Sequence, residues 1–221
     1  MIDYEEEYKK QLEENMKNVI EEIDSPNMSK KINNYANKFG DTPEVIKQKI
    51  IDDEMFRKQF VKDPSKQNFY QNKAADFIKN MEGVENFKVL PQSGNNAKYI
   101  SNGNLFEGKD LENKNQASKS IDFYWEYNNK ECYASHKYTK EGGGAQDNQY
   151  KDIQEFLNDS RDNNLKNTIF IAICDGNYYK NKDNKTGDKT KLERLKRLSN
   201  NKNTFVTDIE GLKDILKKLD E

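Results

Sequence analysis

The chain is poor in the residues that most often announce a function. Its 221 residues contain two cysteines, one histidine and one tryptophan. Cys132 and Cys174 both sit inside apolar, strand-like runs. They can build neither a disulfide framework nor a zinc pattern, and they imply buried thiols in a reducing compartment. His136 is not in a strand phase that would pair it with either cysteine, and no GxSxG elbow occurs, which sets nucleophilic triads aside. The alternation places it on an apolar face, as a hydrogen-bonded core or rim histidine. No apolar run reaches 18 residues, and the opening "MIDYEEEYKK" has neither a basic segment nor an apolar one. No membrane partner is therefore expected, and a cytoplasmic location is. A large excess of positive charge is missing too: 37 basic residues face 39 acidic ones, a net charge of −2. That excludes a surface coated for DNA, but not a local basic cleft.

Hydrophobic residues make up 33% of the chain and charged ones 34%, yet 11% are aromatic. The apolar residues fall in periodic runs, so a packed core is expected rather than disorder. Residues 1–62 read as a helical region. "EEEYKKQLEENMKNVIEEI" has helical spacing, with Pro26 just beyond it. "TPEVIKQKIIDDEMFRKQFVK" opens with Thr42 as N-cap and Pro43 in the first turn. A further helix is expected over "PSKQNFYQNKAADFIKNMEG", with Phe69, Ala74, Phe77 and Ile78 on one face and Gly83 as its stop.

The pattern then changes. "NFKVLPQSG", "KSIDFYWEY", "KECYASHKYT", "NTIFIAICDG" and "NTFVTDI" read as strands, interleaved with helices near 146–158, 190–199 and 209–218. This predicts an α/β core over 63–221, a mixed central β-sheet flanked by helices. "KNKDNKTGDKTK" reads as a polar loop.

Within that core, "KSIDFYWEYNNKECYASHK" folds as a hairpin about Asn128-Asn129, since asparagine tolerates positive φ. This register sets Asp122 opposite Ser135. Alternation puts Ile121, Phe123 and Trp125 on one face with Cys132 and Ala134, and Asp122, Ser135 and Lys137 on the other. Opposed residues have Cβ atoms roughly 5 Å apart, and Lys137 is one diagonal step away. A carboxylate, a hydroxyl and an amine together suit phosphodiester hydrolysis. The carboxylate binds Mg²⁺, and the ammonium stabilises developing charge or orients water.

"SIDF" followed by "SHK" resembles the PD-(D/E)xK nuclease superfamily, and the stretch 119–179 is similar to a type II restriction endonuclease. The resemblance implies a restriction-endonuclease-like fold, with Asp122 as metal ligand and Lys137 as catalytic lysine. It places Ser135 where the family carries a second acid, and Ile121 in the usual proline position. The missing acid is then sought at Asp76 in the preceding helix, or at Asp147 or Asp152 in the following one. A helical wheel turns Asp147 and Asp152 away from the sheet. "QDNQY" resembles the family's QxxxY segment, which makes Gln146 a catalytic candidate beside Asp122, Ser135 and Lys137. Gln92, Asn95, Asn96, Lys98, Lys140, Gly143 and Gln149 are the candidates for contact with DNA. Glycines 142–144 permit close approach of a phosphate backbone.

The expectation is a Mg²⁺-dependent endonuclease that cuts double-stranded DNA at a palindromic sequence as a homodimer, matching twofold protein to twofold site. A structure-specific repair or recombination nuclease is one alternative. A catalytically inactive, nuclease-like DNA-binding module is another.

Overall fold

The structure, a computed structural model, describes residues 2–111, 120–142, 144–182 and 189–220, without the side chains of Lys66, Gln67, Ala145 and Gln146. The chain divides into two compact units, Asp3–Tyr70 and Gln71–Glu221 with Met1–Ile2. The expected boundary at residue 62 falls inside the first.

The first unit is helical: α1 (Tyr4–Glu21), α2 (Pro26–Phe39), α3 (Pro43–Asp52), α4 (Glu54–Arg57) and a 3-10 turn, Pro64–Gln67. Each α-helix start is written locally. The side chains of Asp3, Ser25, Thr42 and Asp53 accept hydrogen bonds from the first free backbone N–H groups of α1 to α4. Such a cap is worth about 1 kcal/mol. Val19, Ile23, Met28, Ile32, Ala36, Ile46, Ile50 and Phe60 form the core.

The second unit starts within α5 (Phe69–Lys79) and continues through β1 (Glu85–Val89), β2 (Lys98–Ser101), β3 (Asn104–Glu107), β4 (Phe123–Tyr127) and β5 (Lys130–Tyr138). Then come α6 (Gly144–Arg161), β6 (Thr168–Asp175), α7 (Asn177–Lys180), α8 (Lys191–Lys196), β7 (Thr204–Thr207) and α9 (Leu212–Lys218). The main sheet has the order β1-β4-β5-β6-β7. β1, β4 and β5 run antiparallel, and β6 and β7 continue parallel to β5. The expected mixed sheet flanked by helices is therefore present. β2 and β3, absent from the strands expected above, form a separate hairpin about the turn dipeptide Asn102-Gly103. Of the polar loop, residues 183–188 lie outside the described residues, and its flanks pair as Lys182 with Thr190.

The β4–β5 turn is as expected. Asn128 and Asn129 have φ of 47° and 58°, and Phe123 pairs with Ala134. Among the described residues every non-glycine with positive φ is an asparagine, seven in all. Asparagine thus does turn work here that glycine does elsewhere.

One expectation fails. Alternation gives the hairpin one apolar face and one that carries Asp122, Ser135 and Lys137, but both faces of the sheet are buried. Tyr133, Phe170, Ala172 and Cys174 lie on the face of Ser135 and Lys137 and pack with Ile153, Phe156 and Leu157 of α6. Phe123, Trp125, Cys132, Ala134, Ile171 and Ile173 fill the opposite face. Parallel strands require helical crossovers, which cover the sheet. Ile121 also leaves the alternation. It precedes β4, its N–H donates to the Lys98 carbonyl at 2.8 Å, and it belongs to the core cluster of Tyr133 and α6.

Candidate functional site

Asp122 stands immediately before β4. Its N–H donates to the Ala134 carbonyl at 2.9 Å, and its own carbonyl accepts from Leu90 N–H at 2.9 Å. These bonds fix the backbone between β1 and β5 and leave the residue 2% exposed. An ionised carboxylate loses several kcal/mol of hydration on such burial, so its partners must replace that water.

They do so at both oxygens. Oδ1 accepts from Gln92 Nε2 at 2.8 Å and from Gln71 Nε2 at 3.2 Å. Oδ2 accepts from the His136 backbone N–H at 2.7 Å and the Ser135 hydroxyl at 3.4 Å, with Lys137 Nζ 3.6 Å away. The lysine side chain is 18% exposed against 3% for the aspartate. The pair therefore runs from the interior toward solvent, carboxylate inside and lysine nearer the surface.

A second buried pair lies on the other face of β5. The His136 ring stands 3.0 Å from Asp175 Oδ2, and Asp175 Oδ1 accepts from Ile209 N–H at 2.8 Å. His136 thus links two carboxylates, one through its backbone N–H and one through its ring. It is a buried, hydrogen-bonded histidine, as its strand phase implied. Beyond Lys137, Thr139 donates its hydroxyl to Gln149 Oε1 at 2.8 Å, joining the end of β5 to α6. The crossing at this point is close. Gly176 has φ of 95°, and a Cβ there would lie 2.2 Å from the Thr139 carbonyl oxygen. Only glycine fits.

Of the residues proposed as catalytic, the structure brings Asp122, Ser135 and Lys137 together. The side chain of Gln146 and the whole of Gly143 lie outside the described residues. The candidates for DNA contact scatter. Gln92 is engaged at Asp122: its amide donates to that carboxylate and its oxygen accepts from the Ser120 hydroxyl at 3.4 Å. Gln149 is held by Thr139. Lys98 pairs with Glu107 at 2.6 Å on the hairpin, Asn95 and Asn96 are exposed in the turn before it, and Lys140 is exposed just past β5. Two of the sought acids are placed elsewhere. Asp76 lies on the exposed side of α5, and Asp147 accepts from the Tyr178 hydroxyl at 2.7 Å. The preceding helix does reach the carboxylate, but through Gln71.

Gln71 was missed because nothing local distinguishes it. Asp175 left a signal: a lone acid closing the apolar run "TIFIAIC" in a chain with one histidine. The thiols are chemically quiet. Burial pushes Cys132 up to about 12, and burial first, then the charge of Asp175, raises Cys174 well above the ordinary range. Neither is a nucleophile.

A magnesium ion needs few protein ligands, commonly one or two carboxylates completed by water and phosphate oxygens. The donors at Asp122 fit that pattern: one carboxylate, the Ser135 hydroxyl and the nearby glutamine amides. They do not form a dedicated carboxylate cage. Among the described residues no three His, Cys, Asp or Glu side chains are grouped to hold a metal. No helix among them is long and apolar enough to cross a membrane.

Compared with protein-family models, curated proteins and solved structures, the chain matches none of them.

Proposed function

We propose that the chain is a Mg²⁺-dependent endonuclease that hydrolyses phosphodiester bonds of double-stranded DNA, of the type II restriction kind within the PD-(D/E)xK superfamily. One observation carries the reading: Asp122 and Lys137, on neighbouring antiparallel strands, meet at 3.6 Å with the lysine on the solvent side. The sheet order adds support, since β5 presents Ser135 and Lys137 beside an aspartate at the start of β4 and then crosses through α6 to a parallel strand.

In this reading Asp122 and the Ser135 hydroxyl hold the metal, which supplies Lewis acidity toward a phosphate oxygen. Lys137 places positive charge where the phosphate gains negative charge as water adds to phosphorus and the P–O bond to the leaving oxygen breaks. The backbone N–H of His136 keeps the carboxylate aimed. A palindromic target and a homodimer follow from the same reading, each subunit cutting one strand.

The test is incubation of the full chain with plasmid DNA and Mg²⁺, followed by mapping of fragment ends. Discrete fragments that vanish in EDTA are expected, with Ca²⁺ supporting binding but little cutting. Undiminished cutting in chelator would remove the metal mechanism.

The saturation of both Asp122 oxygens favours one other reading, a nuclease-like DNA-binding module without catalysis. Specific retention of DNA fragments with no cleavage under any divalent metal would select it.

A further inference from the structure

The groups on Asp122 are two amides, a hydroxyl, a backbone N–H and an ammonium. The amides stand out because both give their NH₂ to the same oxygen. A primary amide holds its NH₂ and its carbonyl oxygen in nearly equivalent positions, so a half-turn about its last bond exchanges a donor for an acceptor. Gln92 is placed to make that exchange at little cost. Its oxygen now accepts from the Ser120 hydroxyl at 3.4 Å, and a hydroxyl that both donates and accepts keeps a bond after the turn. Ser120 is itself buried, so the partner stays in place. Gln71 approaches Oδ1 from α5, on a side chain with the same freedom.

The geometry points to Gln71 and Gln92 as paired neutral ligands of a divalent cation at Asp122. In the structure they donate to the carboxylate. When an ion binds, they turn their oxygens to it. The inference rests on the metal-dependent reading above and deepens it, because it identifies what stands in for the missing acid: two amides in place of a second carboxylate. With one protein charge the ion is held weakly until phosphate oxygens complete its shell. Metal binding and DNA binding then reinforce each other.

The test is Mn²⁺ binding to the full chain without DNA, read as free Mn²⁺ by electron paramagnetic resonance. Gln71→Glu and Gln92→Glu should each tighten binding by at least about tenfold, and Gln71→Leu and Gln92→Leu should each weaken it about tenfold. Thermal midpoints with and without Mn²⁺ guard against misfolding: the glutamate variants should lose stability without metal and regain it when Mn²⁺ is added. Affinities within about twofold across all four variants would overturn the inference, as would absence of Mn²⁺ binding by the wild-type chain. If affinity follows the series while plasmid remains uncut, the nuclease reading fails and the ligand assignment stands. If plasmid is cut in Mg²⁺ while affinity ignores the series, the assignment fails and the nuclease reading stands.

Discussion

The two units bury different things. In the helical unit the interior is aliphatic and aromatic, with Ile46, Ile50 and Ala36 fully enclosed. In the α/β unit Asp122, Ser135, His136, Thr139, Asp175 and several threonines are buried as well, and among the described residues every buried polar or charged residue belongs to this unit. A buried polar group costs free energy unless its partners replace water, so a fold gains no stability by collecting them. The helical unit shows that the chain can build a core without them. Ser135, His136 and Thr139 of this set lie on or just past β5, with Asp122 beside them, so the partners that offset their burial are gathered there.

The sharpest way to break this contrast is at Asp122. Asp122→Ala should lower plasmid cleavage by about a thousandfold or more, equivalent to about 4 kcal/mol of barrier, and Lys137→Ala should act similarly. DNA binding should survive Lys137→Ala better than cleavage does. Cutting at the wild-type rate by either variant, with circular dichroism unchanged, would leave the polar interior without a catalytic role.

The helical unit should answer to packing alone. Ile46→Ala removes a fully enclosed side chain. It should cost about 2–5 kcal/mol in urea unfolding followed by helical circular dichroism. A loss below about 1 kcal/mol would show a core that closes around the gap, contrary to the tight packing inferred.

Ser135→Ala should be milder. Its hydroxyl is one of several donors to Asp122 and sits at the long distance of 3.4 Å. Cleavage should fall about tenfold, or about 1.4 kcal/mol in barrier. A loss as large as that of Asp122→Ala would make the hydroxyl an essential ligand rather than a supporting one.

The smallest effect belongs to a surface charge. Glu107 is held down to about 2 by Lys109 first and Lys98 second. A depressed folded-state pKa adds stability above the unfolded value, and this is lost as pH falls through the folded one. The contribution should therefore be present above about 4.5 and fade toward 2. Glu107→Gln should lower the thermal midpoint slightly at neutral pH, with the difference from wild type closing near pH 2. A difference that persists at that pH would place the effect in packing.

Much of this architecture is legible in the sequence because it rests on neighbours. Asn128-Asn129 set the hairpin, and from that turn alone Asp122 comes opposite Ser135 with Lys137 on the same face. Thr42 announces a helix start because its side chain satisfies a first free N–H group, whereas Asp53 breaks and recaps a run that periodicity reads as one helix. The Asn102-Gly103 hairpin is equally local but hard to see, since its strands are four residues each and partly polar. What alternation could not reveal is that the Asp122 face is also a core face. Period two reports which residues share a side, and only the α6 crossover covers that side.

The sequence by itself determined the turns, the caps, the strand phases and hence the meeting of carboxylate, hydroxyl and amine, all of which follow from short-range sterics and hydrogen bonding. Only the tertiary structure decided what surrounds that carboxylate. Gln71 is 51 residues from Asp122, Gln92 is 30 residues away, and Asp175 is 39 residues from His136. No local energy term links such residues. Their contacts exist because sheet pairing and the helical crossovers bring distant backbone together, and a buried charge then takes whatever donors that folding has placed within reach.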